Sequence, residues 1–438
     1  MRAEHHNRDA RFPDSFGGKG VAPFAPRVRI VGGGLTGILA AFQAHRMGAR
    51  DIDLYERLDR LGGIAQPELR DGREMREGCI YFGPEGDPIR SLLEAHGVKF
   101  EEFDNTFGSV SGSLENPTCL HDFGGPSMKA SSIKLGTLRG DSLADRIGCF
   151  DASIAEPLFR YVEWHVGCDP ASLHKDSAIP LAINRVFPEG PDLDALAKAK
   201  RTDDLADELF GIPRSLWGYS NNAKASLPVG GFTEMFRQCR RALKAIGVRI
   251  HERRLANPKK VLNEWSREDL IVWAASPMPL FKAMGLEAPR APARKFATHA
   301  FKVDWTGPVP FYVQNFTAEG SCFRVYIYES GGSTLLTAEC VTKPQEIDLH
   351  REIHSLLRGF DGQLAIGDLL YRTVKPRWLY HSTDTIDKLG QLRAALKAER
   401  GDAFVAGAWE AYAKGEKFAE VEADLQKALE MQAILAAL

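Results

Sequence analysis

The feature that most constrains this chain is an apolar strand that runs directly into a glycine-rich turn and a helix. Residues 28–31 are the strand, and Gly32, Gly34 and Gly37 form a Gly-x-Gly-x-x-Gly turn. A second strand ends at Glu56, where a carboxylate can accept a hydrogen bond from a ribose. This order predicts a βαβ unit that binds a dinucleotide, because it places a strand, a glycine turn, a helix, a second strand and an acid in succession.

Each residue type in the turn has a physical reason. Gly32 permits the tight turn, Gly34 lets the backbone approach a pyrophosphate, and Gly37 lets the helix pack close to the strand. The helix begins with Leu35 and Thr36, and its N-terminus points free N–H groups and a positive dipole end at phosphates. The alternative is a glycine turn with only a packing role.

The stretch after the acid indicates which nucleotide binds. Glu56 is followed by three residues, the first of which is Arg57, and then by Arg60, one residue and the pair Gly62-Gly63. The pattern is therefore an acid, three residues and Arg-x-Gly-Gly. This pattern resembles the FAD-binding signature of the flavoprotein group that includes amine oxidases, protoporphyrinogen oxidases and UDP-galactopyranose mutases. The resemblance implies noncovalent FAD rather than NAD, with the glycine pair closing over the pyrophosphate and Arg60 nearby. For Arg60 the alternative is a solvated charge.

Two later segments are similar to the same group. A predicted helix directly follows Pro228, Gly230 and Gly231. This resembles the segment by which chains of the group return to their FAD domain. Paired glycines before a helix free backbone donors for a cofactor. A strand ending at Gly407, followed by a terminal helix from about Phe418, resembles the third segment that the group brings to the flavin. The chain departs from the mutase-like pattern there, because alanine and tryptophan follow Gly407 instead of arginine. Mutase chemistry and the flavin contacts at this end are therefore both open.

Residues 295–345 alternate apolar and polar side chains, which predicts strands. Period two places Arg324, Tyr326 and Tyr328 on one strand face. An arginine with two tyrosines can bind a phosphate or carboxylate, so we expect these residues to contact an anionic part of a substrate. Mutase-like relatives carry an arginine on the corresponding strand. The alternative is a solvated strand face.

The expected fold class is α/β. We expect a discontinuous Rossmann-like FAD-binding domain, a helical insertion and an antiparallel-sheet substrate domain. The predicted boundaries are a disordered extension over 1–27, the FAD-binding domain over 28–95, 227–280 and 400–438, a largely helical insertion over 96–226, and the substrate sheet over 281–399.

Charge and cysteine content exclude several function classes. The net charge of −2 predicts no broad attraction to nucleic acid or anionic membrane, and no apolar stretch approaches the length of a membrane span. The cysteines are odd in number and form no C-x-x-C pair, which indicates reduced thiols in the cytoplasm and no metal site. They are Cys79, Cys119, Cys149, Cys168, Cys239, Cys322 and Cys340.

Three functions remain open from the sequence. The first is an FAD-dependent oxidoreductase that transfers a hydride from a small amine, alcohol or sugar carbon to flavin N5. The second is a redox-neutral sugar-nucleotide mutase that uses reduced FAD, and the third is a flavin-binding protein without catalysis. No catalytic residue can be named from the sequence, as expected where the cofactor does the chemistry. A small-molecule partner is expected, and the sequence does not indicate an oligomeric state.

Overall fold

The computed structural model describes residues 26–78, 80–217, 224–290, 292, 294–342, 348–376 and 380–437. The disordered extension predicted over 1–27 lies almost wholly outside the described residues, as does Cys79. Within the described residues, no helix combines the length and the apolar character that crossing a membrane requires.

Strands come from all parts of the described chain. They are β1 (Val28–Val31), β2 (Ile52–Tyr55), β3 (Glu68–Arg70), β4 (Arg73–Met75), β5 (Phe100–Asp104), β6 (Thr106–Gly112), β7 (Pro117–His121), β8 (Ser127–Lys129), β9 (Phe187–Glu189), β10 (Lys224–Pro228), β11 (Arg249–His251), β12 (Leu270–Trp273), β13 (Lys295–Trp305), β14 (Phe311–Asn315), β15 (Cys322–Ser330), β16 (Ser333–Val341), β17 (Leu364–Pro376) and β18 (Phe404–Ala406).

The α-helices lie between these strands and after the last of them. They are α1 (Leu35–Arg46), α2 (Pro88–Ala95), α3 (Leu143–Ile147), α4 (Ala152–Val166), α5 (Leu193–Thr202), α6 (Asp204–Leu209), α7 (Arg214–Trp217), α8 (Gly231–Ala245), α9 (Pro258–Glu264), α10 (Met278–Met284), α11 (Leu349–Leu357), α12 (Thr383–Arg400) and α13 (Lys414–Ala437).

A parallel sheet forms the first layer. Its strand order is β11-β2-β1-β12-β18, so its strands come from three separated parts of the chain. Helix α1 is buried along its whole central part, from Gly37 to Ala44, and packs between this sheet and α13. The expected discontinuous Rossmann-like domain is therefore confirmed.

A larger sheet forms the second layer. Its order is β17-β13-β16-β15-β14-β6-β7, and every pairing is antiparallel except that of β14 with β6. The turn between β15 and β16 contains Gly331 and Gly332, both with positive φ, as the predicted hairpin requires. The expected antiparallel sheet is confirmed.

The helical insertion is narrower than the sequence predicted. Helices α3 to α6 share one core that includes Leu158, Val162 and Phe210, whereas 100–129 forms four strands. Two of these strands, β6 and β7, join the large sheet, because β6 pairs with β14. Residues 108–111 of β6 are all buried, so this strand lacks the alternation of apolar and polar residues that would have indicated it in the sequence.

Helix α12 belongs to the parallel sheet, although the prediction placed 281–399 in the substrate sheet domain. Leu389, Leu392 and Leu396 form one buried stripe that packs with Val31 and Trp273. Their spacing of three and four residues puts the three leucines on one helix face. The spacing predicts that a helix is buried but cannot show which sheet buries it.

Candidate functional site

The two predicted glycine loops cross at the carboxyl edge of the parallel sheet. The N–H of Gly62 donates to the carbonyl of Gly33 at 2.8 Å, and Gly34 pairs with Gly62 in an isolated bridge. Gly62 has φ +114°, and a Cβ there would lie 2.7 Å from the ring of Phe236. Only glycine fits such a position, so the Gly62-Gly63 pair is held against the first loop.

Packing of the protein itself explains two of the three glycines in the first loop. A Cβ on Gly32 would lie 2.8 Å from the backbone nitrogen of Ala275, and one on Gly37 would lie 1.9 Å from the carbonyl oxygen of Gly32. Gly34 differs, because its φ of −71° suits any residue and the nearest atom to its Cβ position is 3.9 Å away. The space beside Gly34 is therefore kept open for something other than the chain.

Helix α1 begins at this open space without a side-chain cap. Gly34 is its N-cap residue, and its carbonyl accepts the first helical hydrogen bond, from Ile38 at 3.0 Å. The N–H groups of Leu35, Thr36 and Gly37 precede that bond and have no carbonyl within the helix to pair with. Donors at the positive end of a helix that lack a carbonyl partner within the helix are suited to a phosphate.

Glu56 binds both loops by its carboxylate. It is buried, and its Oε2 accepts from the N–H of Gly33 at 2.8 Å while its Oε1 accepts from Leu58 at 2.8 Å. Each carboxylate oxygen can accept a further hydrogen bond. Its contact with a ribose stays a prediction, but the structure adds a role in shaping the loop.

The two arginines predicted beside the cofactor are exposed. Arg57 makes no ion pair with any described residue, and Arg60 lies 3.7 Å from Glu68 with about half of its side chain exposed. An exposed pair of this kind contributes little to stability. The solvated alternative thus describes their present environment, and a cofactor contact stays a prediction.

The start of α8 is already paired with an internal carboxylate. Glu74 accepts from the N–H of Thr233 at 2.7 Å and of Phe232 at 3.2 Å. Gly230 and Gly231 have φ of +80° and +85°, and a Cβ on Gly231 would lie 2.7 Å from this carboxylate. Glu74 thus takes the position of an anionic ligand at the first turn of the helix. Contact of Pro228, Gly230 and Gly231 with a cofactor stays a prediction.

Glu74 also belongs to a buried polar cluster that joins the two sheets. The Arg76 guanidinium donates to Glu74 at 3.2 Å and lies 4.9 Å from the ring centre of Tyr328. The hydroxyl of Tyr328 donates to the carbonyl of Glu74 at 3.0 Å and accepts from the N–H of Arg76 at 3.0 Å. Burial lowers the pKa of Arg76, but Tyr326 and Glu74 outweigh it and raise the pKa above its usual value.

Sequence reasoning missed Glu74 and Arg76. Their signal was the alternation of charged and apolar residues in Arg73-Glu74-Met75-Arg76, directly after the Asp71-Gly72 turn. Met75 is buried, as a strand with one inward face would predict. Burial of both neighbouring charges could not be predicted, because it depends on Tyr328 of the other sheet.

The predicted face of β15 exists, but its arginine is paired within the protein. Tyr326 and Tyr328 are buried and stacked, with ring centres 4.9 Å apart. Arg324 forms an ion pair with Glu339, which lies opposite on β16 and is only 1% exposed. Glu339 thus already provides Arg324 with a partner of opposite charge, and contact of Arg324 with a substrate anion stays a prediction.

The C-terminal segment packs on the parallel sheet where the sequence departs from the mutase-like pattern. A Cβ on Gly407 would lie 2.6 Å from the carbonyl oxygen of Trp273, and the indole N–H of Trp409 donates to the same oxygen at 3.1 Å. Ala408 is fully buried with φ +50°. Glycine at 407 is thus explained by packing alone, and its contact with a cofactor stays a prediction.

Helix α13 begins close to the loop that follows β4. The ammonium of Lys414 donates to the carbonyl of Tyr81, and that of Lys417 donates to the carbonyl of Ala408 at 3.3 Å. Burial lowers the pKa of Lys417.

The described residues contain no group of three His, Cys, Asp or Glu side chains placed to hold a metal ion.

Comparisons with known proteins agree with this architecture. Residues 30–95 match the model of the NAD(P)-binding Rossmann-like domain. Tryptophan 2-monooxygenase of Pantoea agglomerans pv. gypsophilae is 50% identical over 85 residues, which are 18% of this chain and 15% of that protein. The same enzyme of Pseudomonas savastanoi is 35% identical over 77 residues, 17% of this chain and 14% of that protein. The chain thus matches about one seventh of the length of these relatives.

Solved structures resemble nearly the whole chain. Reduced UDP-galactopyranose mutase matches with a TM-score of 0.62 and 12% identity, over 93% of this chain and 96% of that one. A redesigned putrescine oxidase matches with a TM-score of 0.55 and 14% identity, over 94% and 99%. The chain therefore shares its overall fold with these two structures.

Proposed function

We propose that this chain, which has the fold of the FAD-dependent amine oxidase-like flavoproteins, is an FAD-dependent oxidoreductase. The observation that carries the proposal is the open space at Gly34, where two glycine loops and an uncapped helix start meet. A chain that used this turn only for packing would have no reason to keep glycine there. The local identity to tryptophan 2-monooxygenase supports an oxidoreductase.

The residues present fit FAD. The N–H groups of Leu35, Thr36 and Gly37 would donate to its pyrophosphate, with Gly34 allowing close approach. The carboxylate of Glu56 would accept from the adenosine ribose with the lone pairs that Gly33 and Leu58 leave free. When bound, FAD supplies an isoalloxazine that accepts a hydride at N5.

The hydride donor would be a small amine, alcohol or sugar carbon. The polar groups between the two sheets are charge-balanced, because Glu74 pairs with Arg76 and Glu339 pairs with Arg324. Tyr81 lies edge-on to Tyr326, with ring centres 5.9 Å apart. Balanced charges and aromatic faces favour a neutral or amine substrate over an anion, and amines are the first class to test.

The proposal is tested with the purified full-length protein in two steps. The first step is identification of the chromophore released on denaturation, and FAD is expected. The second is anaerobic mixing with primary amines, amino acids including tryptophan, and alcohols, while the flavin absorbance is followed. Bleaching by one class, with oxygen consumption in air, is expected; FAD without bleaching or turnover would leave a flavin-binding protein without this catalysis.

A redox-neutral mutase reaction is the second candidate, supported by the likeness to reduced UDP-galactopyranose mutase. It predicts turnover of a sugar nucleotide only after the flavin has been reduced, without net oxidation. The ion pair of Arg324 with Glu339 weakens this candidate, because it takes the arginine expected to meet the nucleotide phosphates. Product analysis with dithionite-reduced protein separates the two reactions.

A further inference from the structure

Two cysteines face each other across the middle of the large sheet. Cys322 on β15 and Cys340 on β16 are directly paired, beside a register shift that separates this pair from Arg324 and Glu339. Opposite residues of antiparallel strands have Cα atoms about 4.5–5.5 Å apart, which lies within the range of about 4.4–6.8 Å found in disulfides. The backbone therefore already has the spacing that a cross-strand disulfide needs.

The surroundings give the two thiols different roles. The Sγ of Cys340 lies 4.0 Å from Nδ1 of His299, whereas the thiol of Cys322 donates to the carbonyl of Arg324 at 3.5 Å. Cys322 and His299 both stabilise a thiolate at Cys340 and lower its pKa, whereas Cys340 and burial raise the pKa of Cys322. The thiolate is the nucleophile in sulfur chemistry, so Cys340 is the attacking sulfur.

Burial restricts the oxidant that can reach this pair. Cys322 is 0% exposed and Cys340 is 3% exposed, so a protein disulfide or glutathione cannot approach either sulfur. A peroxide is small enough to enter through local opening of the strands. Partly exposed Cys119 and Cys168 lack a cysteine opposite them on a paired strand in the described residues.

We propose that Cys322 and Cys340 form a redox-active dithiol that hydrogen peroxide converts to a disulfide. The Cys340 thiolate attacks one peroxide oxygen, the O–O bond breaks, and hydroxide leaves to give a sulfenic acid. The Cys322 sulfur then attacks the Cys340 sulfur, the S–O bond breaks, and the S–S bond forms. In total two thiols lose two electrons and two protons, and one peroxide becomes two molecules of water.

The disulfide would link two neighbouring strands of the large sheet next to a buried ion pair. It would fix β15 to β16 at the register shift, immediately before the rung formed by Arg324 and Glu339. An oxidase would itself release peroxide, and only this source of the oxidant rests on the proposed function. Peroxide that is added from outside tests the dithiol whatever the enzyme turns out to do.

The experiment treats the folded full-length protein with hydrogen peroxide, stops the reaction with catalase and alkylates the remaining thiols after denaturation. We expect the loss of two alkylation sites and a peptide containing a Cys322–Cys340 disulfide after nonreducing digestion. Dithiothreitol added under denaturing conditions should restore both sites. The matched control is Cys239→Ser, since Cys239 is equally buried, in α8, with no cysteine opposite.

Single variants test the roles of the two sulfurs. Cys322→Ser should stop at a sulfenic acid that dimedone traps at Cys340. In Cys340→Ser, peroxide should oxidise the Cys322 thiol at least tenfold more slowly than in wild type. In His299→Gln, the disulfide should form more slowly than in wild type. Equal rates in wild type and Cys340→Ser, or a disulfide that involves other cysteines, would overturn the proposal. If a serine variant does not fold, trapping of the wild-type sulfenic acid by dimedone decides which sulfur reacts first.

Discussion

At the scale of the residue, Gly34 and Glu56 act on the nucleotide loop in different ways. Gly34 has an ordinary backbone conformation and no close neighbour, so the fold does not depend on it. Glu56 is buried and accepts hydrogen bonds from Gly33 and Leu58, so the loop does depend on it. Substitutions at the two positions should therefore separate cofactor binding from stability.

Gly34→Ala should weaken FAD binding by more than tenfold while the melting temperature of the apoprotein stays within about a degree. The added methyl group enters only the space that the pyrophosphate needs. Gly37→Ala is the contrasting variant, since its Cβ would lie 1.9 Å from the carbonyl oxygen of Gly32 and should destabilise the apoprotein itself. FAD titration and thermal unfolding of both apoproteins measure this; unchanged FAD affinity in Gly34→Ala would remove the cofactor from this loop.

Glu56→Ala should weaken FAD binding and also lower the melting temperature of the apoprotein. Two backbone N–H groups would lose their acceptor, and a buried unsatisfied donor costs about 1–3 kcal/mol. Glu68→Ala provides an exposed control, since its contact with Arg60 at 3.7 Å contributes little. A normal melting temperature in Glu56→Ala would show that the loop does not need this carboxylate.

Arg324→Ala should destabilise the protein rather than act only on a substrate. Removing it leaves the carboxylate of Glu339 buried without this partner, and breaking a buried pair in this way typically costs about 3–5 kcal/mol. The double variant with Glu339→Ala should recover part of the loss, because the orphaned charge is gone. Denaturant unfolding of the four proteins measures the coupling; additive effects would argue against the pair.

At the scale of the element, the N-terminus of helix α8 is capped by an acid from a strand distant in the chain. Glu74 of β4 receives the first N–H groups of the helix, and Gly231 leaves room for it. The carboxylate of Glu74 also pairs with the Arg76 guanidinium, and a negative charge is favourable at the N-terminal end of a helix. One hairpin therefore sets the start of α8 and, through Tyr328, its distance from the large sheet.

Glu74→Gln should lower stability by about 1–3 kcal/mol, since a charged acceptor is lost at the helix start and Arg76 loses its anionic partner. Gly231→Ala should also destabilise, because φ is +85° and the new Cβ would lie 2.7 Å from the Glu74 carboxylate. Thermal unfolding of both variants provides the measurement. Wild-type stability in Glu74→Gln would mean that a neutral amide caps α8 equally well.

The predictable elements are those whose information is local. The glycine turns, the hairpin at Gly331 and the face shared by Tyr326 and Tyr328 follow from residue types and period two. The partner of Arg324 does not, because the pairing with Glu339 depends on a register shift between two strands. The cap of α8 is equally hidden, because Glu74 precedes that helix by more than 150 residues.

At the scale of the molecule, the helical insertion contains a buried histidine that should govern acid stability. His165 is 1% exposed among the rings of Tyr161, Trp164, Phe296, Phe323 and Tyr380. Burial lowers its pKa to about 3, with Arg324 and Arg294 adding to the effect. Neither ring nitrogen has a hydrogen-bond partner in the described residues.

The sign of the pH effect follows from proton binding. An unfolded histidine binds a proton below about pH 6.5, whereas folded His165 does so only near pH 3. Stability therefore falls as the pH falls from about 6.5, by up to ~1.4 kcal/mol per pH unit. The buried carboxylate of Asp53 has a lowered pKa, because hydrogen bonds from Arg249, His251 and Arg27 outweigh its burial. Its contribution is lost only below about pH 4.

His165→Phe should flatten the fall in stability between pH 6.5 and 4.5, because phenylalanine binds no proton and fits an aromatic environment. Exposed His354→Gln is the control and should leave the slope unchanged. Urea unfolding at three pH values in this range measures both slopes. Parallel curves for wild type and His165→Phe would show that His165 is not responsible.

The interleaved parallel sheet also constrains how the protein can be made. Strand β1 is synthesised early, but its sheet is completed only by β18, and α13 packs on α1 after that. While the large sheet is still being synthesised, the two glycine loops lack β18 and α13, their last neighbours. Binding of the proposed cofactor should therefore wait until β18 and α13 have been synthesised, and a chain that stalls before β18 should present an unfinished apolar sheet edge to chaperones.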